Sequence, residues 1–348
     1  MKIQVNIALV FLLLTASCAV DPPIKPLIND TPIETVPPNW PEPKYRFANN
    51  PLSKARFELG RALFYETLLS RDNTVSCASC HIQNFAFAQT DHAFSHGVDN
   101  RIGHRNAPAL FNLTWHSEFM MDGAINHIEK QPLAPIANPL EMDESIVRVL
   151  EKLNAKERYK QLTKAAYNTD SLTSQRLLWA MTQFMGLIYS HTTKYDAVKN
   201  GQSNSAFTES EQRGYQLFQK HCNSCHREPL FTDFNYRSNG LPPHPVIQDS
   251  GRAMVTGLTQ DRWKFKTPSL RNVALTYPYM HDGRFSTLTE CLNHYRNGLF
   301  NTQNIDPLLN QPIRLNDSEV SDIIQFLNTL SDYSMIYDQR FSDPNRIQ

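Results

Sequence analysis

Charge of one sign is what this chain lacks first: 34 basic and 34 acidic side chains cancel over 348 residues. With no global field, neither a nucleic-acid backbone nor a membrane surface is implied as a partner, and recognition must rest on local patches. Long apolar runs are missing as well. The run from Ile7 to Leu14 holds eight residues, far short of the ~20 that span a bilayer. Period-two alternation of apolar and polar residues is absent over any useful length, which argues against an extended sheet. Cysteine is scarce, six in all. No four Cys/His ligands cluster as a structural zinc requires, and no βαβ context supports a thioredoxin-like thiol pair.

Four of those six cysteines fall in two copies of one pattern, Cys77-Ala78-Ser79-Cys80-His81 and Cys222-Asn223-Ser224-Cys225-His226. Such a pentapeptide lets two thiols add to the vinyl groups of one haem while the following histidine supplies the proximal ligand to its iron. The spacing therefore predicts two covalently bound haem c groups, held by Cys77, Cys80 and His81 and by Cys222, Cys225 and His226. A chain of this length has room for about two ordinary domains, one for each haem.

The N-terminus reads as an export signal over residues 1–17: Lys2, the short apolar run, then Thr15-Ala16-Ser17 before Cys18. Cys18 is a candidate for lipidation at a bacterial lipoprotein cleavage site, although Thr15 stands where Leu is usual, and plain secretion is the alternative. Either route leads to the periplasm, where c-type haem is attached. Residues 18–44 form a tether, with eight prolines between Asp21 and Pro43. The remaining cysteine, Cys291, lies in an expected helix and reads as a buried apolar thiol.

Further along, Asn50-Pro51 suggests a helix start, with Phe57, Gly60, Leu63 and Phe64 on one face. Thr208 and Glu211 form a capping-box pattern, followed by Gly214, Leu217 and Phe218 in the same small-then-apolar order. The haem motifs lie 222−77=145 residues apart. Two related modules in tandem follow, residues 45–203 and 204–348, divided at the polar stretch Gly201 to Ser205. Between them, Ile146, Val149, Leu150 and Leu153 share a helical face, as do Leu177, Leu178, Met181, Met185 and Ile188. Asn316 with Glu319 caps a final amphipathic helix that can pack back on the first module. The expected fold is mainly α, two cytochrome c-like domains with long loops wrapped around haem.

Several blocks now carry a resemblance: Arg105-Asn106-Ala107-Pro108, Asn138-Pro139-Leu140-Glu141-Met142, Lys266-Thr267-Pro268-Ser269-Leu270-Arg271-Asn272 and Tyr279-Met280-His281-Asp282-Gly283. With the haem motifs, they make the chain similar to the bacterial di-haem cytochrome c peroxidase family, and within it to the MauG-like branch. The resemblance implies a peroxide-reacting first haem and an electron-transferring second haem. It implies that Glu141 is the distal acid/base, that Gln131 is the glutamine preceding it, and that Asn106, Thr276 and Pro278 hold a Ca2+ between the haems. The proposed proton shuttle is chemically sound, since a carboxylate beside an open iron can move a proton from the near to the far oxygen of H2O2.

Three positions depart from the usual pattern of that family. Val98 stands where many members have a distal histidine, with His92, His96 and His104 nearby as shifted candidates. Tyr295 stands where many offer methionine to the second iron, and a phenolate there favours ferric iron. Met121 replaces a tryptophan between the haems, for which Trp115 and Trp263 are the candidate substitutes. The readings are then a peroxidase fed by a small periplasmic donor (cytochrome c or copper protein), a MauG-like enzyme that oxidises side chains of a partner protein, and a plain electron carrier. An open first iron under Glu141 argues against the carrier.

Overall fold

The structure is a computed structural model that describes residues 36–300 and 304–345. The export signal, Cys18 and most of the tether lie outside the described residues. Helices dominate: α1 Lys54–Phe64, α2 Cys77–Cys80, α3 Leu133–Ala137, α4 Ile146–Asn154, α5 Glu157–Tyr167, α6 Ser174–Gly186, α7 Lys194–Lys199, α8 Glu209–His221, α9 Ala253–Thr256, α10 Leu288–Asn297, α11 Asp317–Asn328 and α12 Tyr333–Ile336. The only ladder among the described residues pairs β1 (Tyr236–Arg237) antiparallel with β2 (Phe265–Lys266). The fold is mainly α, with two cores.

In the first core α1 crosses α6, and Gly60 is the reason they come so close. A Cβ built there would lie 1.9 Å from the Ala180 carbonyl oxygen. In the second core α8 crosses α11 in the same manner, with a Cβ at Gly214 falling 1.9 Å from the Asp322 carbonyl oxygen. Phe57, Phe64 and Phe184 fill the first crossing, while Phe218, Phe231 and Phe326 fill the second. Each such ring contributes roughly 1.5–3 kcal/mol by leaving water.

The start of α1 differs from the expected Asn50-Pro51 cap. The helix begins after Ser53, and Asn50 is buried with its side chain engaged in tertiary bonds. It donates to the Trp179 carbonyl at 2.9 Å and accepts from Gln183 Nε2 at 2.8 Å. Gln183 Oε1 in turn accepts from the Ser53 N–H at 3.0 Å, so α6 itself caps α1. The boxes at Thr208/Glu211 and Asn316/Glu319 both form.

Tyr195 of α7 packs in the second core, ahead of the exposed stretch around residue 203. Beyond α11 the chain returns to the first domain. Met335, Ile336 and Phe341 are buried there, Arg61 Nε donates to the Ser342 carbonyl at 2.6 Å, and the Tyr65 hydroxyl donates to the Phe341 carbonyl at 2.6 Å.

Candidate haem sites and the distal pocket

Ser76 and Ser79 close a capping box around α2, whose single turn presents Cys77 and Cys80 on one side. His81 follows, its N–H bonded to the Cys77 carbonyl at 2.9 Å. Its Nδ1 lies 2.9 Å from the Phe87 carbonyl, and a carbonyl can only accept. The ring proton therefore sits on Nδ1, which leaves the Nε2 lone pair free for iron. Ala86 and Phe87 take positive φ (54° and 59°) to aim that carbonyl. Burial lowers the pKa of His81, favouring the neutral ring a metal requires. The Cys77 thiol is pushed up to about 12 and Cys80 to about 11, both chiefly by burial in an apolar slot.

The second motif repeats the arrangement. His226 N–H bonds the Cys222 carbonyl at 2.9 Å, and His226 Nδ1 donates to the carbonyls of Phe231 and Pro268 at 3.3 and 3.1 Å. Phe231 again has positive φ, 54°. Paired, half-buried thiols beside a neutral imidazole with a free Nε2 fit a covalent haem in both places.

What faces each motif differs. Glu141 lies in the loop after α3, where Asn138 folds back on it: Asn138 Nδ2 donates to Glu141 Oε1 at 2.7 Å, and Asn138 Oδ1 accepts from the Leu140 N–H at 3.0 Å. Burial raises the pKa of the Glu141 carboxyl, opposed by the Asn138 bond. Its charge adds to the rise of both the Cys77 and Cys80 thiols, after burial, so the carboxyl lies within electrostatic reach of the first motif. Val98 is fully buried and its N–H bonds the Glu141 carbonyl at 2.8 Å. Gly97 allows that approach, since a Cβ there would lie 2.3 Å from the Glu141 and Leu140 carbonyl oxygens.

Of the nearby histidines, His92 and His104 are exposed, and His96 Nδ1 is held 2.9 Å from Asn100 Oδ1. Gln131 lies in the turn that opens α3, its carbonyl accepting from the Ala134 N–H at 3.2 Å.

Tyr295 lies on α10, one turn after Cys291. Burial pushes its phenol up to about 12, against an Asn239 hydrogen bond that lowers it, and the thiols of Cys291, Cys222 and Cys225 add to the rise. The phenol thus lies within electrostatic reach of the second motif. Cys291, one turn before Tyr295 on α10, is half-buried, and burial pushes its thiol up to about 12.

Asn106 is buried between the domains. Its N–H donates to the His281 carbonyl at 2.9 Å, and its Nδ2 donates to the carbonyls of His92 and Ala93 at 3.3 and 3.2 Å. Thr276 and Pro278 precede His281 on the same strand of chain. Met121 lies at the opposite crossing, its carbonyl accepting from the Lys266 N–H at 2.7 Å. Trp115 is locked in the first core against Trp40 and Tyr189, with ring centroids 5.1 Å away in both cases. Trp263 sits at a left-handed turn (φ 62°) in the second domain.

Sequence reasoning missed the role of Asn138, which holds Glu141. It also missed a second internal repeat whose signal was present: Met120-Met121-Asp122-Gly123 against Met280-His281-Asp282-Gly283.

Comparisons with known proteins fit this geometry. Residues 54–204 match the family model described as di-haem cytochrome c peroxidase, and residues 211–331 match that of cytochrome c. The cytochrome c551 peroxidase of Nitrosomonas europaea is 33% identical over 284 residues, which is 79% of this chain and 79% of its own. The methylamine utilization protein MauG of Methylorubrum extorquens is 32% identical over 305 residues, 84% of this chain and 82% of its own. A crystal structure of a MauG-like protein associated with microbial copper homeostasis aligns with a TM-score of 0.79 at 31% identity, covering 89% of this chain and 99% of that one. This chain belongs to the di-haem cytochrome c peroxidase family and carries two c-type haems. No helix among the described residues is long and apolar enough to cross a membrane.

Proposed function

We propose that the protein is a periplasmic di-haem peroxidase. It reduces H2O2 to two waters at the first motif, with two electrons entering from a small cytochrome c or copper protein through the second and two protons from solvent. The observation that carries this reading is the half-buried Glu141 carboxyl within electrostatic reach of Cys77 and Cys80, with no ligating side chain at Val98 beside it. Bound haem supplies the electron transfer that cleaves the O–O bond; the protein supplies the proton chemistry. Glu141 takes the proton of the near peroxide oxygen and returns it to the far oxygen, which leaves as water. Asn138 fixes the carboxyl's orientation, and burial keeps its pKa high enough for it to give the proton back. Gln131 helps to position peroxide across the pocket.

His226 and the phenol of Tyr295 hold the second haem, and the hard anionic oxygen favours its ferric state. That ligand choice supports a second reading, in which the oxidising power of peroxide is delivered to a side chain of a partner protein, as the resemblance to MauG suggests. Asn106, Thr276 and Pro278 bring hard oxygen donors together with water around one Ca2+. Among the described residues no trio of His, Cys, Asp or Glu could hold a metal, so such a site would rest on amide and carbonyl oxygens. A lipid on Cys18, if attached, is the sole contact with a membrane, and nucleic acid is no partner.

Replacing Glu141 by Gln keeps the shape and the Asn138 contact but removes the base. Peroxide consumption should slow by about 10²-fold or more, with both haems retained. Unchanged stopped-flow kinetics would remove the carboxyl from the mechanism.

A further inference from the structure

The two domains meet through a crossed pair of hydrogen bonds that an offset of 160 residues relates to one another. Pro108 and Pro268 face the proximal histidines, Asn112 and Asn272 are both left-handed (φ 53° and 57°), as are Met120 and Met280 (66° and 73°), and Gly123 and Gly283 follow (76° and 65°). Bridges Phe119 to Ile125 and Tyr279 to Phe285 close the same turn in each domain. With 268−108=160, 272−112=160 and 283−123=160, the register is constant across the stretch. Each copy then donates one N–H into the other: Asn106 to the His281 carbonyl at 2.9 Å, and Lys266 to the Met121 carbonyl at 2.7 Å.

Carried through this offset, the calcium residues acquire partners: 106+160=266, 276−160=116 and 278−160=118, which are Lys266, His116 and Glu118. These three meet in the fold. Lys266 Nζ donates to the Glu118 main-chain carbonyl at 2.6 Å, the carbonyl that corresponds to that of Pro278. Burial and then the Lys266 charge lower the pKa of the half-buried His116 ring, and Nζ lies 5.9 Å from the Phe119 ring centroid. An ammonium drawn out of water is costly unless oxygen acceptors replace its hydration. Here burial pulls Lys266 down to about 8, with Glu118 and Asp122 holding it up.

We propose that the Lys266 ammonium fills a second cation site, the pseudo-symmetric mate of the calcium site, so that the inter-domain junction carries one metal ion and one built-in cation. The side chain of residue 266 decides which cation is used. Lysine brings its own charge to the Glu118 carbonyl, whereas a short amide at the same place offers an oxygen and leaves room for a metal with waters, as Asn106 does. This inference rests on the calcium reading for its geometry, and the test separates the two.

The haem-loaded mature protein and its variants are stripped with chelator, re-equilibrated with Ca2+, desalted and assayed for bound calcium per two haems. The wild type should hold one equivalent, Lys266→Met one, and Lys266→Asn two. A wild type without calcium overturns the calcium reading alone, provided Lys266→Asn still gains an equivalent. No gain in Lys266→Asn, whatever the wild type binds, overturns the second site. Should that variant fail to keep both haems, the reciprocal exchange decides. Asn106→Lys should retain the melting temperature of the calcium-loaded wild type in the presence of chelator, while Asn106→Met falls to that of the stripped protein. Equal melting of the two Asn106 variants would also overturn the proposal.

Discussion

Gly60 and Gly214 do the same work in the two domains, letting one helix rest on the backbone of another, and His81 and His226 are each oriented by a carbonyl from a left-handed phenylalanine. Away from that shared frame the domains diverge. The first builds a large core and sets Glu141 beside Val98, a titratable oxygen next to a side chain unable to ligate, near its thiol pair. The second builds a small aromatic core and sets the Tyr295 phenol near its own thiol pair. It also holds a longer connection between haem motif and proline, 268−226=42 residues against 108−81=27. The extra residues reach across the junction. Asp249 receives Arg105 at 2.6 and 2.8 Å, and Arg252 donates to the Asp122 carbonyl at 3.0 Å. On the function proposed above, one scaffold would make a reaction site and a relay by changing what lies opposite the proximal histidine.

The shared frame can be broken most severely at its glycines. Gly60→Ala and Gly214→Ala both drive a methyl into a main-chain oxygen, and neither partner is a flexible side chain that can yield. Each should cost ~3 kcal/mol or more, the upper range for overpacking. Gly214→Ala should do greater harm, because the smaller core has less burial with which to absorb the shift. Thermal melting followed at the haem absorbance checks this. Equal and small shifts would mean that the two crossings are not as tight as described.

The divergent ligands come next. Tyr295→His keeps a donor over the second motif but removes the anionic oxygen, so the second haem should stay six-coordinate while its reduction potential rises. Resting-state electron paramagnetic resonance with a redox titration reads both. A potential unmoved by the exchange would place the phenol away from the iron. The wild-type resting spectrum tests the other half of the contrast: with Val98 beside Glu141, the first ferric haem should be high-spin and react with peroxide without prior reduction.

How far these features could be read in advance follows from their range along the chain. Capping boxes at Thr208/Glu211 and Asn316/Glu319 are legible because donor and acceptor stand three residues apart. Both haem motifs are legible for the same reason. The start of α1 was not, because Gln183, more than a hundred residues away, takes over the capping that Asn50 seemed to offer. The repeat around the junction was masked by a change of register. The haem motifs are offset by 145 and the crossed turns by 160, so the connection containing Asp249 and Arg252 conceals the match. Glu141 was legible only through its resemblance block, since a lone glutamate in a loop has no local mark of burial.

The smallest expected effect concerns that carboxyl and the sign of its pH dependence. Burial raises the pKa of Glu141 in the folded protein, so the protonated acid is the form the fold prefers. Its contribution to stability is complete below the ordinary pKa of an exposed glutamate and is lost as pH rises through the higher folded value. Peroxide reactivity runs the opposite way, because the carboxyl must be ionised to accept the first proton. Over the same interval the wild type should gain rate and lose stability, at no more than about 1.4 kcal/mol per pH unit for a single proton. Glu141→Gln carries the same hydrogen-bonding shape without the titration, so it should flatten both curves and become relatively more stable than the wild type toward neutral pH. Melting curves and peroxide kinetics collected from pH 4 to 8 on the two proteins decide the matter. Parallel stability profiles, or a rate that still climbs in the glutamine variant, would assign the titration to a group other than Glu141.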